Sequence, residues 1–276
     1  MPEIKQQRLE EILAGLGRVL IAYSGGVDSA YLAYVAHRVL RDDMLAVIAD
    51  SPSLARAHLR DAMAFAHEHQ IPVHIIPTAE MDRQEYVRND VSRCFHCKDE
   101  LFRVLEAFAG ERGYETIAYG VNVDDQGDFR PGQAAARQHG VAAPLLEARL
   151  TKKEIRELAR EAGLRVWDKP ASACLSSRIE YGRPVTPEAL SAVERGEEAL
   201  RALGFRQVRV RYHGELARIE IARDELQQAL TVPMFAELTR IFKALGFTFV
   251  TLDTEGFRSG SMNSSVTVQP LIKLLT

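Results

Sequence analysis

The feature that most restricts the fold is the run Ser24-Gly25-Gly26-Val27-Asp28-Ser29, set between the apolar stretch Arg18–Tyr23 and a helical stretch from Ala30 to Leu40. The apolar stretch is short, rich in β-formers and bounded by Gly17, which predicts a buried strand. A strand that turns through two glycines straight into a helix opens a βα unit. Gly25 and Gly26 permit backbone turns that other residues avoid and leave the amides open to a ligand. The helix start adds unpaired N–H groups and partial positive charge, which suits a phosphate. Ser24 and Ser29 add hydroxyls. Asp28 would repel a bare phosphate; it fits a Mg2+ partner or a capping group that holds the loop. Taken alone, the segment also admits an ordinary glycine turn with an Asp/Ser helix cap. Neither GxxxxGK[ST] nor GxGxxG spacing occurs, which excludes a Walker A loop and argues against a dinucleotide fold.

The alternation continues. Strands are expected at Met44–Ala49, Val73–Ile76 and Thr116–Tyr119, and helices over 3–17, Ser53–His69 and Lys98–Gly110. Thr151-Lys-Lys-Glu154 reads as a capping box that opens a helix running to Ala162, with Gly163 as its C-cap. This spacing predicts an α/β class with a doubly wound parallel sheet. Near Pro184–Thr186 the pattern changes to a helix (Pro187–Leu203), strands at Val208–Tyr212 and Ala217–Ile221, a helical stretch from Leu226 to Leu245 interrupted by Pro233, and a strand at Thr248–Leu252. That order suggests a smaller C-terminal α+β domain. The expected division is 1–180 and 181–276, in keeping with a length that suits two domains.

Net charge is −3. A chain that grips a polyanion along its length carries a basic excess, so nucleic acid is an unlikely partner. The apolar runs are too short to span a bilayer, and the polar first eleven residues hold no signal-peptide core. A cytoplasmic protein without membrane association is expected.

The three cysteines, Cys94, Cys97 and Cys174, are too few and too odd in number for a disulfide framework. Cys94-Phe95-His96-Cys97 suits a cluster, a zinc site or a redox pair, because thiolates favour zinc and iron–sulfur centres over hard cations. Cys174 stands beside Ser176, Ser177 and Arg178, which can bind an anion and lower a thiol pKa; the alternative is a buried loop cysteine. Arg209 and Arg211 alternate with Val208 and Val210 and share one strand face. Arg258 can join them. Guanidinium groups suit phosphate, although a strand with arginine on its wet face is also merely soluble.

Ser-Gly-Gly-Val-Asp-Ser is the signature of the PP-loop pyrophosphatase superfamily, which the first 170 or so residues resemble. The resemblance implies ATP cleavage between the α and β phosphates, with the loop holding pyrophosphate. It places adenine and ribose near Ala22, Asp50-Ser51 and Tyr119-Gly120, and puts Asn122 and Asp124-Asp125 directly after, where a carboxylate can help hold Mg2+. Asp124 and Asp125 otherwise read as a solvated loop.

The elements SGGVDS (24–29), GVNVDD (120–125), DFRPG (128–132), ASACLSSR (171–178), VRVRYH (208–213) and GFRSG (256–260) together resemble the LarE-type sulfur transferases over nearly the full length. That family builds the nickel-pincer nucleotide cofactor. The resemblance implies adenylation of pyridinium-3,5-dicarboxylate mononucleotide and its conversion to thiocarboxylates. It assigns Ser177, Arg178, Glu197, Arg209, Arg211 and Arg258 to the pocket for the mononucleotide phosphate. It further implies a [4Fe-4S] cluster on Cys94, Cys97 and Cys174, whose open iron carries sulfide, or else sacrifice of the Cys174 sulfur. ATP, Mg2+, an external sulfide donor and a homo-oligomer complete the expectation. A PP-loop tRNA thiolase with a cluster and a non-catalytic zinc- or nucleotide-binding protein are the rival readings.

Overall fold

A computed structural model describes residues 2–126, 131–170 and 173–258; of the motifs above, residues 128–130, 171–172 and 259–260 lie outside the described residues. The chain divides into two units, Met1–Tyr86 with Ser92–Ala173, and Val87–Val91 with Cys174–Thr276.

In the first unit the apolar runs form four strands, β1 (Val19–Ala22), β2 (Met44–Asp50), β3 (Val73–Pro77) and β4 (Thr116–Tyr119). All pair in parallel, in the order β3-β2-β1-β4. Val19 lies opposite Met44 on one side and Thr116 on the other. The strand period of two divides the side chains between two cores. Val19, Ile21, Ala46 and Ile48 pack with Leu9 and Leu13 of helix Pro2–Ala14, Leu32 of helix Val27–Leu40 and Ile155 of helix Lys152–Glu161. Leu20, Val47, Ile76 and Ile117 pack on the opposite face with Phe102 and Leu105 of helix Arg93–Arg112 and Ala135 of helix Pro131–Gln138. Helices therefore cover both faces, as the alternation of elements predicts. Each of the fully buried Leu20 and Ile21 side chains contributes roughly 1.5–3 kcal/mol. From β1 the chain builds outward through β2 and β3, then crosses to β4 on the other side of β1. This reversal leaves a crevice beyond the carboxyl ends of β1 and β4, where open α/β sheets bind ligands.

Two helices differ from expectation. Helix Arg93–Arg112 begins well before Lys98, so Cys94 and Cys97 lie within its first two turns. No glycine or proline in 93–98 opposes a helix there, and the cysteine spacing masked it. The stretch 226–245 forms two helices, Leu226–Ala229 and Val232–Ala244. Pro233 starts the second, where its missing N–H costs nothing, and Thr231 caps that end through its hydroxyl.

The second unit holds β5 (Val208–His213), β6 (Leu216–Ile221) and β7 (Phe249–Leu252), in that order. A turn at Gly214, with φ of 73°, joins the antiparallel β5 and β6, and β7 runs parallel to β6. Helix Pro187–Ala202 packs through Gly196, where a Cβ would lie 2.8 Å from the Phe242 ring. The excursion 87–91 centres on Asn89, which is fully buried in a left-handed conformation. Its Nδ2 donates to the carbonyls of Glu180 and Arg183, both at 2.9 Å. Asparagine suits this position because its short amide tolerates positive φ.

The capping box forms as predicted. Thr151 Oγ1 accepts from the Glu154 amide at 3.3 Å, and Glu154 Oε2 accepts from the Thr151 amide at 2.9 Å. Lys5 Nζ adds a 2.7 Å ion pair to Glu154. Burial alone would raise the Glu154 carboxyl, but Lys5 and Thr151 hold it down to about 2, against an ordinary 4.5. A carboxyl depressed on folding stabilises the protein fully above the ordinary value and loses that effect as pH falls through the folded one. Glu154→Gln is thus expected to melt below the wild type at neutral pH. The gap should narrow as pH drops from about 4.5 towards 2. Thermal melts across this range check it.

Candidate active site

Gly25 follows β1 with φ of +70°, and a Cβ there would lie 2.6 Å from Ala62 Cβ. The turn therefore needs glycine for both its conformation and its space. Tyr23 secures the base of the loop by donating its hydroxyl to the Ala62 carbonyl at 3.0 Å. Burial, reinforced by the charge of Asp61, pushes this phenol above its ordinary range, so it stays a neutral donor. Ser29 Oγ accepts from the Ser24 amide at 3.2 Å, lies 3.1 Å from Ser24 Oγ and reaches the Gly26 carbonyl at 3.1 Å. Gly26 is the N-cap of helix Val27–Leu40 and offers no side-chain cap, so the first amides face outward without a side-chain acceptor. An anion is the group such a terminus accepts.

The crevice brings two separate segments to this loop. After β4, Gly120 closes on the helix start, where a Cβ would lie 2.8 Å from the Ser29 nitrogen. Asn122 Nδ2 donates to Asp28 Oδ1 at 3.3 Å. Lys152, the first residue of its helix, pairs its ammonium with Asp28 Oδ2. Asp124 Oδ2 accepts from the Lys152 amide at 2.7 Å. Asp28 thus spans to two other segments and does not cap its own helix. Lys152 went unrecognised as a site residue in the sequence. A signal was available, since the capping box puts this cation at a helix start, where it opposes the helix dipole.

At the carboxyl end of β2, Asp50 pairs with Arg56 at 2.6 Å. Ser51 Oγ meets Ser53 Oγ at 2.8 Å, and Arg56 Nη2 donates to the Ser51 carbonyl at 2.9 Å. Half-buried Ala22 ends β1 between Val47 and Tyr119. The expected nucleotide residues Ala22, Asp50, Ser51, Gly120 and Asp124 therefore lie at or just beyond the carboxyl ends of the strands, with the loop 24–29. Arg56 is a further polar group there that sequence reasoning did not select.

Cys94 and Cys174 are exposed and Cys97 is half-buried. Cys94 and Cys97 are three residues apart on one helical face. Arg93 Nη2 lies 4.0 Å from Cys94 Sγ. The His96 ring is engaged by Ser92 Oγ at 3.1 Å. Among the described residues, no group of three or more His, Cys, Asp or Glu side chains is gathered in a way that could hold a metal ion.

In the second unit Cys174 precedes the 3-10 turn Leu175–Arg178. Arg178 is fully buried. Its Nη1 donates to the Cys174 carbonyl at 2.8 Å and to Ser177 Oγ at 3.1 Å, while Nε and Nη2 grip Glu197 at 2.9 and 3.2 Å. Glu197 also accepts from Arg201 at 3.1 Å and from the Val210 amide at 3.3 Å. Burial alone would raise the Glu197 carboxyl; Arg178, Arg209 and Arg201 hold it below the ordinary range. Arg211 is only 5% exposed, so a wet arginine face does not describe this strand. It grips Glu220 at 2.9 and 3.0 Å and the Ser177 carbonyl at 3.2 Å. Arg209 is different. It lies 3.9 Å from Glu197 and over the Phe257 ring at 5.2 Å. Burial, then Arg178 and Arg211, push it down to about 10, so it is a cation at neutral pH. Arg258 pairs with Asp253 at 3.0 Å, and Asp253 lies 3.7 Å from Arg218, which bonds Glu220 at 3.2 Å. Ser177, Arg178, Glu197, Arg209 and Arg211 thus come together, and Arg258 joins them only through intervening charges. Glu220 and Asp253 are counterions that sequence reasoning did not anticipate.

A family profile for NAD synthase matches residues 5–99. An uncharacterized protein of Synechocystis sp. is 44% identical over 97% of this chain and all of its own length. The pyridinium-3,5-bisthiocarboxylic acid mononucleotide synthase of Lactiplantibacillus plantarum is 35% identical, over 95% of each chain. The chain belongs to the LarE-type family of PP-loop sulfur transferases. A glutamine-hydrolyzing GMP synthase of Gloeothece citriformis is 28% identical over 58% of this chain and 34% of its own length, a likeness far shorter than that within the LarE-type family. The LarE-type chain is an ATP-dependent enzyme. Among its described residues no helix is long and apolar enough to cross a membrane.

The buried Arg178–Glu197 pair gives a direct test of the second unit. Removing one member of such a pair strands the other charge, which costs about 3–5 kcal/mol. Arg178→Met is expected to lose that much unfolding free energy in urea. Arg240→Met, which breaks the exposed Arg240–Glu237 pair, should leave the midpoint unchanged.

Proposed function

We propose that this enzyme adenylates the carboxylates of pyridinium-3,5-dicarboxylate mononucleotide and converts them to thiocarboxylates, the sulfur-loading reaction of nickel-pincer cofactor synthesis. The observation that carries the reading is the 35% identity over 95% of both chains with a pyridinium-3,5-bisthiocarboxylic acid mononucleotide synthase. The uncapped helix start behind Gly25-Gly26 supports pyrophosphate release at that loop.

In this reading the nucleotide domain, over roughly 1–180, holds ATP along the strand ends with Ala22, Asp50, Ser51 and Gly120. A substrate-carboxylate oxygen attacks the α-phosphorus, and pyrophosphate departs into the loop Ser24–Ser29. Asp28 and Asp124 are the oxygen donors suited to Mg2+, which supplies charge neutralisation on the phosphates when bound. The domain over 181–276 binds substrate and supports homo-oligomerisation. Arg209, which has spare donors, receives the mononucleotide phosphate beside Ser177 and Arg211. Arg178 and Glu197 fix the Cys174 backbone and leave its thiol exposed. AMP is a good leaving group, so attack by a sulfur nucleophile on the acyl carbon gives the thiocarboxylate. Two rounds give the bisthiocarboxylate.

In this reading Cys94, Cys97 and Cys174 would hold a [4Fe-4S] cluster; thiolates are soft donors that suit one, and Cys94 and Cys97 lie three residues apart on one helix. When bound, such a cluster would supply a site able to carry sulfide. We place the enzyme in the cytoplasm, with an external sulfide donor and no nucleic-acid partner.

The test is anaerobic turnover with ATP, sulfide and the mononucleotide, or alternatively tRNA. Expected are a thiocarboxylate mononucleotide, one pyrophosphate per sulfur installed, protein-bound iron, and Cys174 intact by mass spectrometry. Cys174→Ala should abolish the sulfurated product while pyrophosphate exchange persists. Dehydroalanine at position 174 would replace the cluster reading with sacrifice of the protein sulfur. Thiolated tRNA with no mononucleotide product would overturn the substrate assignment.

A further inference from the structure

A pocket of about 450 Å3 adjoins the nucleotide crevice in the first unit. It runs along helix Lys152–Glu161, where Arg156, Glu157 and Arg160 follow Lys153 by three, four and seven residues and so share one face. Trp167 bounds it on another side. Asp124 and Lys152 line its near end, and Lys152 is the residue that pairs with Asp28 in the crevice. Arg156 fixes the tryptophan. Its Nη1 donates to the Trp167 carbonyl and its Nη2 to the Lys169 carbonyl at 2.7 Å, which anchors the turn Arg165–Asp168 on the helix. Trp167, the chain's single tryptophan, nevertheless leaves 37% of itself exposed. The Arg160 guanidinium lies over its ring, 5.1 Å from the centroid. Among the described residues Arg160 has no carboxylate partner, whereas Lys153 lies 3.7 Å from Glu157. The pocket thus holds a guanidinium without a counterion beside an indole that already accepts a cation on its face.

These two groups offer two kinds of recognition in one place. An indole face attracts a cationic ring, and a guanidinium grips a carboxylate through two parallel hydrogen bonds. A pyridinium ring with carboxylates at positions 3 and 5 presents both. Its nitrogen carries the positive charge, and while one carboxylate is activated the other remains to be held. Four basic side chains line the pocket against two carboxylates, which suits a ring whose two negative groups outweigh its one positive charge. The volume is that of a small-ligand site, roughly 300–1,000 Å3. We propose that Trp167 and Arg160 form the ring subsite of this enzyme: the indole takes the pyridinium ring, and Arg160 exchanges the indole for the carboxylate that is not being adenylated. After the first round the retained group is a thiocarboxylate, also an anion, so the same contact serves both rounds. This rests on the pyridinium substrate of the reading above and deepens it by assigning the ring and its second carboxylate to named residues.

Because Trp167 is the only tryptophan, indole fluorescence of the full-length protein reports on this pocket alone. Pyridinium-3,5-dicarboxylate mononucleotide is expected to quench it saturably. Quenching by ATP with Mg2+ but not by the mononucleotide, or by neither, overturns the proposal. Pyrophosphate release is then measured with this substrate and with pyridinium-3-carboxylate mononucleotide, which lacks the second carboxylate. The wild type is expected to favour the dicarboxylate at least about tenfold in kcat/KM, and Arg160→Met to lose that preference while the KM for ATP moves less than about threefold. Arg160→Lys should restore part of the preference, and both variants should melt like the wild type. A preference that survives Arg160→Met overturns the proposal, because a merely structural role lowers both rates alike. A wild type that forms the thiocarboxylate mononucleotide without any change in fluorescence removes this subsite and leaves the substrate assignment standing. A wild type that releases no pyrophosphate with either mononucleotide removes the assignment, and this proposal with it.

Discussion

Two contacts made without side chains hold the nucleotide crevice together. Gly25 lies against Ala62 and Gly120 lies against the Ser29 amide, each with less than 3.0 Å to spare for a Cβ. One contact seats the loop on the helix that follows β2. The other draws the end of β4 onto the helix that follows β1. The reversal of strand order makes these approaches possible, and a larger side chain at either glycine would wedge the crevice apart. The positions of Asp28, Asn122 and Lys152 depend on this closure, because each comes from a different side of it.

The second unit solves an opposite problem. Where the crevice relies on bare backbone, this unit keeps several guanidinium groups out of water by chaining them to carboxylates. Arg178 shares Glu197 with Arg201 and the Val210 amide, and Arg211 shares Glu220 with Arg218. Buried ion pairs of this sort are poor sources of net stability but set geometry strictly. The geometry set here is that of the Cys174–Arg178 turn. Arg209 stands apart: among the described residues it is held by the Phe257 ring and a carboxylate 3.9 Å away.

Much of this was legible in the sequence because the signals are local. Short apolar runs alternating with helical stretches announced β1 to β4, and Thr151–Glu154 announced a helix start. What stayed hidden was non-local. Lys152 reads as a surface lysine until the end of β4 and the glycine loop are brought together. Glu220 and Asp253 become counterions only through strand register, which sets Arg209 opposite Glu220 and Arg211 opposite Arg218. The cysteine pair illustrates a third kind of miss: a motif read for its ligand chemistry obscured the helix that carries it.

The excursion of Val87–Val91 into the second unit has a bearing on how such a protein can be inherited. Asn89 fills its place with hydrogen bonds to the main chain of residues 180 and 183. A single break near position 174 would separate the later residues from this insert, leaving carbonyls in one fragment and their buried amide in the other. Neither piece is a cassette that recombination can lift out cleanly. Shuffling that exchanged only the C-terminal portion between relatives would need to carry a matching five-residue loop from the other half of the gene.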